Sequence, residues 1–140
     1  MKPGLGETEI MLDGDVRELR RLAASIESFC RERGLGDDVA FDLNLALEEL
    51  FVNAVKHGGC RGMESAARVR LELVEGGVAV EIADRGAPFD PTAAPAPDLG
   101  TPLAARAAGG LGIHLVRQVM RDVRYARTGG WNRVTMRRHL

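Results

Sequence analysis

The stretch Leu43-Asn44-Leu45-Ala46-Leu47-Glu48-Glu49-Leu50-Phe51-Val52-Asn53-Ala54-Val55-Lys56-His57-Gly58 decides how the rest of the chain is read. It contains no proline, is rich in leucine and alanine, and meets glycine where a helix C-terminus belongs, so it predicts a helix. Most of its residues are apolar enough for a core. Glu49, Asn53 and His57 nevertheless fall four residues apart and share one face. Glutamate and asparagine are costly to bury without partners, so this stripe needs water or a ligand opposite it. A solvent-facing side is the ordinary explanation of such a stripe. Here Leu50, Phe51, Ala54 and Val55 leave the helix little surface to give to solvent.

Composition narrows the field around that helix. A chain of 140 residues, 45% hydrophobic and 28% charged, matches one soluble globular domain with its own core. A net charge of −1 and a pI near 6.3 give no global case for nucleic acid or an anionic membrane. Arg121, Arg124, Arg127, Arg133, Arg137 and Arg138 alternate along the last segment as solvated strand faces would. No apolar run has spanning length and no signal peptide is visible, so neither membrane nor nucleic acid is an expected partner and the expected location is cytoplasmic. Cys30 and Cys60 form neither a disulfide framework nor a metal-ligand set. His114 and His139 lack carboxylate or cysteine partners at metal spacing and read as structural or surface residues.

Outward from the helix, Glu7 to Leu12 alternates weakly as an edge strand. Asp13 or Asp15 caps a first helix whose stripe is Val16, Leu19, Leu22, Ala23, Ile26, Phe29 and Cys30. Asp37 or Asp38 caps the second. Arg68 to Val74 and Val78 to Ile82 alternate about the turn signal Glu75-Gly76-Gly77, which predicts a hairpin. Five of the six prolines fall between Ala87 and Ala108, a connection whose length suits a lid. Gly109-Gly110-Leu111-Gly112 then opens a third helix from Ile113, and a second hairpin turns at Gly129-Gly130. The expected fold is α+β: a two-layer α/β sandwich with three helices on one face of a mixed, mostly antiparallel sheet.

Two further features could carry chemistry. Asp84-Arg85-Gly86 ends a strand with a carboxylate able to accept from an exocyclic amine, and with a glycine that would let a flat ring approach the backbone. Glycines ahead of the third helix would expose backbone N–H groups at a positive helix end, the physical basis of phosphate binding. No Gly-x-x-x-x-Gly-Lys-Ser/Thr loop is present, nor the His-Arg-Asp and Asp-Phe-Gly motifs of ordinary protein kinases.

In order and spacing these boxes resemble the GHKL ATPase superfamily of gyrase, Hsp90, histidine kinases and MutL. Glu49-Leu50-Phe51-Val52-Asn53-Ala54-Val55-Lys56-His57-Gly58, Asp84-Arg85-Gly86-Ala87-Pro88-Phe89-Asp90-Pro91 and Gly109-Gly110-Leu111-Gly112-Ile113-His114-Leu115-Val116-Arg117 look like the small anti-sigma factor serine/threonine kinases. The ending from Asp122 through Gly130-Trp131-Asn132-Arg133-Val134-Thr135-Met136 also looks like theirs. The resemblance implies the Bergerat-type ATP-binding fold in one domain, 1–140, with 87–108 as the ATP lid. It implies ATP or ADP with Mg²⁺ as ligands, Glu49 as general base and Asn53 as the metal ligand. Asp84 would pair with the adenine amine, Gly86 would admit the ring, and Gly109, Gly110, Leu111 and Gly112 would hold phosphates. Lys56 and His57 match the family's basic pair after the asparagine. One departure is Pro88, where the superfamily usually has the second glycine of Asp-x-Gly-x-Gly.

With only a short strand ahead of the first helix, the phosphoacceptor domain of a sensor kinase is not expected. The resemblance therefore implies an anti-sigma factor or partner-switching kinase that phosphorylates a small anti-sigma-factor antagonist and binds a sigma factor or another protein target, as a homodimer. The alternative is a non-catalytic nucleotide-binding module that sequesters a protein partner.

Overall fold

The computed structural model describes residues 6–93 and 110–140. In chain order the elements are β1 (Glu7–Leu12), a 3-10 turn (Val16–Glu18), α1 (Leu19–Glu32), α2 (Asp37–Lys56), β2 (Ala67–Val74), β3 (Gly77–Asp84), a second 3-10 turn (Pro91–Ala93), α3 (Gly110–Val119), β4 (Arg121–Thr128) and β5 (Trp131–His139).

Two hairpins organise the sheet. β2 and β3 close through Glu75-Gly76, with Val74 opposite Gly77. β4 and β5 close through Gly129 and Gly130, both left-handed at φ 58° and 83°. That pair of positive φ angles matches the twist of a two-residue hairpin and requires residues such as glycine. The strand order is β1-β2-β3-β5-β4. Every pairing among the described residues is antiparallel, so the expected parallel component is missing. Two of the four pairings are hairpins, which can only be antiparallel.

Alternation along the strands divides the sheet into two faces. Val69 and Leu71, Val78, Val80 and Ile82, and Val134 and Met136 point into the core. There they meet Leu22, Ile26 and Phe29 of α1, Leu43, Leu47, Leu50 and Phe51 of α2, and Ile113 and Val116 of α3. α2 lies between α1 and α3 and rests on β3 and β5. The opposite face carries charge: Glu81 pairs with Arg68 and Arg133 at 3.3 Å each, and Arg70 bonds Glu7. The expected sandwich, with its helices on one face, is thus present.

Details at the helix ends differ from expectation. Asp15 caps the 3-10 turn through a 2.8 Å bond from the Arg17 N–H, and Val16 is left exposed. Gly36 is the N-cap of α2, with Asp37 and Asp38 in the first turn, where carboxylates favour the positive helix end. α3 begins at Gly110, so Gly110, Leu111 and Gly112 form its first turn instead of preceding it. Most of the expected lid, and Gly109 with it, lies outside the described residues. Among the described residues no helix is long and apolar enough to cross a membrane.

Candidate functional site

The C-terminal half of α2 and the end of β3 converge on one narrow pocket. Leu50, Asn53, Ala54 and Gly58 line it from the helix side, Ile82, Asp84, Asn132 and Val134 from the sheet, and Phe89 and Pro91 from the segment after β3. Its volume is about 20 Å³. That is room for roughly one water, so a purine would require Phe89 and Pro91 to move outward. Phe89 is 47% exposed, which leaves it free on its outer side.

Asp84 occupies the last position of β3, opposite Asn132 on β5. Its Oδ1 accepts from the Gly86 N–H at 2.9 Å and from Asn132 Nδ2 at 3.0 Å, and the Cys60 thiol lies 3.8 Å away. These bonds all converge on one oxygen. Among the described residues none reaches Oδ2. Burial, with the Asp84 charge beside it, pushes the Cys60 thiol up to about 11. At neutral pH it is therefore a protonated weak donor to the carboxylate and not a nucleophile.

Gly86 lies tight against the turn that follows α2. A Cβ there would sit 2.2 Å from the Gly58 carbonyl oxygen and 2.9 Å from Asp84 Oδ1. The glycine thus admits the turn after α2, and the Ala87 N–H donates to the same Gly58 oxygen at 2.9 Å. Arg127 holds the Gly86 carbonyl at 2.8 Å. α2 ends by a matching economy of space: the N–H groups of His57 and Gly58 both return to the Asn53 carbonyl.

On α2, Glu49 and Asn53 are half-buried one turn apart. Neither side chain makes a hydrogen bond or ion pair among the described residues, which leaves the Asn53 amide available at the pocket wall. Lys56 and His57 are exposed at the helix end and do not line the pocket, and Glu48 is exposed. The structure brings Asn53 and Asp84 together, sets Glu49 one turn behind Asn53, and packs α3 against α2.

The residue that sequence reasoning passed over is Asn132. It is 4% exposed, yet its position shares the inward parity of Val134 and Met136. An asparagine on the buried face of a strand is itself the available signal, since such a group needs every bond satisfied. Pro88, the departure from the superfamily pattern, is exposed, so its missing N–H leaves no buried acceptor wanting.

The histidine kinase-like ATPase domain family matches residues 12–138. The serine/threonine-protein kinase BtrW of Bordetella bronchiseptica is 36% identical over 99 residues, covering 71% of this chain and 70% of that protein. Among solved structures, the RsbU and RsbW domains of Rv1364c from Mycobacterium tuberculosis share the fold with a TM-score of 0.71 at 20% identity. That match covers 99% of this chain but 33% of the longer one. The histidine kinase domain of the blue-light activated histidine kinase EL346 from Erythrobacter litoralis aligns with a TM-score of 0.50 at 19% identity, over 89% of this chain and 60% of that one. Nucleotide binding goes with the family, and one relative of moderate identity is a protein kinase. With the three sequence boxes and this geometry, the chain belongs to the histidine kinase-like ATPase domain family of the GHKL superfamily.

Proposed function

We propose that this domain is an ATP-dependent serine/threonine protein kinase that acts as an anti-sigma factor or partner-switching regulator. The observation that carries the reading is the pairing of Asn53 and Asp84 in one pocket, with the Asn53 amide and the second Asp84 oxygen both left for a ligand. Asp84 Oδ2 would accept from the adenine amine. Leu50, Ile82 and Val134 would enclose the ring once Phe89 and Pro91 move aside.

The Asn53 amide oxygen suits Mg²⁺, which favours oxygen ligands and completes its octahedron with phosphates and waters. When bound, the ion would supply neutralisation of phosphate charge. Backbone N–H groups in the first turn of α3, at Gly110, Leu111 and Gly112, would face the phosphates at the positive helix end. Gly109 would join them, and residues 87–108 would serve as the lid. Lys56 and His57 would be cationic or hydrogen-bonding neighbours at the rim.

Glu49 would take the proton from a serine or threonine hydroxyl of the protein substrate as its oxygen attacks the γ-phosphorus and ADP departs. The substrate in this reading is a small anti-sigma-factor antagonist. The added phosphate would repel it from the kinase surface and free the kinase, a homodimer, for a sigma factor or another target. The setting would be the cytoplasm.

Incubation with labelled ATP, Mg²⁺ and a candidate antagonist tests the reading. Transfer should occur, and Glu49→Gln should reduce it by roughly 10²–10⁴-fold while ADP binding persists. Undiminished transfer in Glu49→Gln removes the base assignment. ADP binding without transfer to any antagonist selects the non-catalytic module instead.

A further inference from the structure

Asn132 uses its whole hydrogen-bonding capacity at one point of the fold. Nδ2 donates to Asp84 Oδ1 at 3.0 Å and to the Ala87 carbonyl at 2.8 Å. Oδ1 accepts from the Phe89 N–H at 3.2 Å and from the Tyr125 hydroxyl at 2.7 Å. Two donors and two acceptor sites are thereby filled, and no orientation of the amide other than this one satisfies all four partners. A buried side chain committed in this way couples its partners, because none can shift without leaving another unpaired.

Tyr125 backs the amide from β4, and the other three partners border the pocket. Asp84 is the carboxylate at the pocket wall, and Ala87 and Phe89 belong to the segment whose Phe89 and Pro91 line the same pocket. The segment is pinned elsewhere too: the Ala87 N–H bonds the Gly58 carbonyl, and Arg117 of α3 holds the Thr92 carbonyl at 2.7 Å. Asn132 is the point at which strap and carboxylate meet.

We propose that Asn132 is a positioning residue for base recognition: it fixes Asp84 through Oδ1 so that Oδ2 faces the ligand, and ties that orientation to the strap Ala87–Phe89. The proposal rests on the reading of Asp84 as the adenine acceptor. Asn132 touches no ligand in this scheme and acts only through Asp84 and the strap. An aspartate in its place keeps the acceptors for Phe89 and Tyr125, but sets a negative oxygen against Asp84 Oδ1 and the Ala87 carbonyl.

The test uses the whole domain and calorimetric titration with Mg·ADP and with Mg·IDP, whose base has a carbonyl in place of the adenine amine. The parent should prefer ADP. In Asn132→Asp and Asn132→Ala the ADP-to-IDP affinity ratio should fall by about tenfold, the scale of one misplaced hydrogen bond, while IDP affinity falls much less. Val78→Ala, which thins the core at the far end of β3, should lower the melting temperature without moving the ratio. A folded Asn132 variant that keeps the parental ratio overturns the proposal. A parent that does not prefer ADP overturns the Asp84 reading itself, a separate failure. Should both variants unfold, Asn132→Thr retains one hydroxyl for Asp84 but cannot also hold Ala87 and Phe89. Amide exchange at Phe89 should then quicken, and exchange as slow as in the parent overturns the coupling.

Discussion

At the residue scale, Gly86 sits where two backbone segments touch. A methyl group would press on the Gly58 carbonyl at 2.2 Å, and a backbone atom cannot rotate away as a side chain can. Gly86→Ala should destabilise the domain by about 1–3 kcal/mol, as overpacking of a tight site does, with urea unfolding as the measure. A change near zero would mean the two turns part easily. Cys60, beside it, makes a pH-dependent contribution of definite sign. Its thiol is raised from 9.0 to about 11. Below pH 9 both folded and unfolded chains hold the proton, and the contribution is fully present. Between 9 and 11 the unfolded chain releases the proton while the folded chain keeps it, so stability falls as pH rises. Cys60→Ala should flatten that part of the alkaline limb in unfolding midpoints collected from pH 8 to 11. An equally steep limb would assign the loss to other groups.

At the element scale, α2 joins core to site. Phe51 is fully buried against the sheet two residues before Asn53, so Phe51→Ala should cost about 3–5 kcal/mol in thermal or chemical unfolding. A much smaller loss would mean that α2 carries less of the core than its burial implies. This helix was legible because apolar spacing and a terminal glycine are local signals, and the same holds for both hairpins. Asp84 was legible as a strand end. Asn132 was not: its role depends on lying opposite Asp84 across β3 and β5, a pairing of residues 48 apart in sequence that no local pattern specifies. The close packing at Gly86 was hidden in the same way, because the carbonyl beside it belongs to the turn after α2. The start of α3 was misjudged by three residues, since glycine propensity argues against a helix that packing on α2 nevertheless supports.

At the scale of the whole molecule, the sheet separates two environments. Its inner face and the three helices form the core and carry the pocket at one end, whereas the outer face is a field of paired charges. A ligand that binds only the folded domain must raise the stability of the whole. At a nucleotide concentration of about 100 Kd the gain is roughly 2.7 kcal/mol, or about 5–15 °C in melting temperature for a domain of this size. Mg·ADP should produce such a shift. Asp84→Asn separates recognition from folding: its amide oxygen can still accept from Gly86 and Asn132, but an NH2 group replaces Oδ2 and cannot accept from an adenine amine. The variant should therefore melt near the parent without ligand, yet lose most of the ADP-induced shift in a thermal scan. A full shift in Asp84→Asn would move adenine recognition away from Asp84. A variant that melts far below the parent would show instead that the carboxylate's charge holds the end of β3 together.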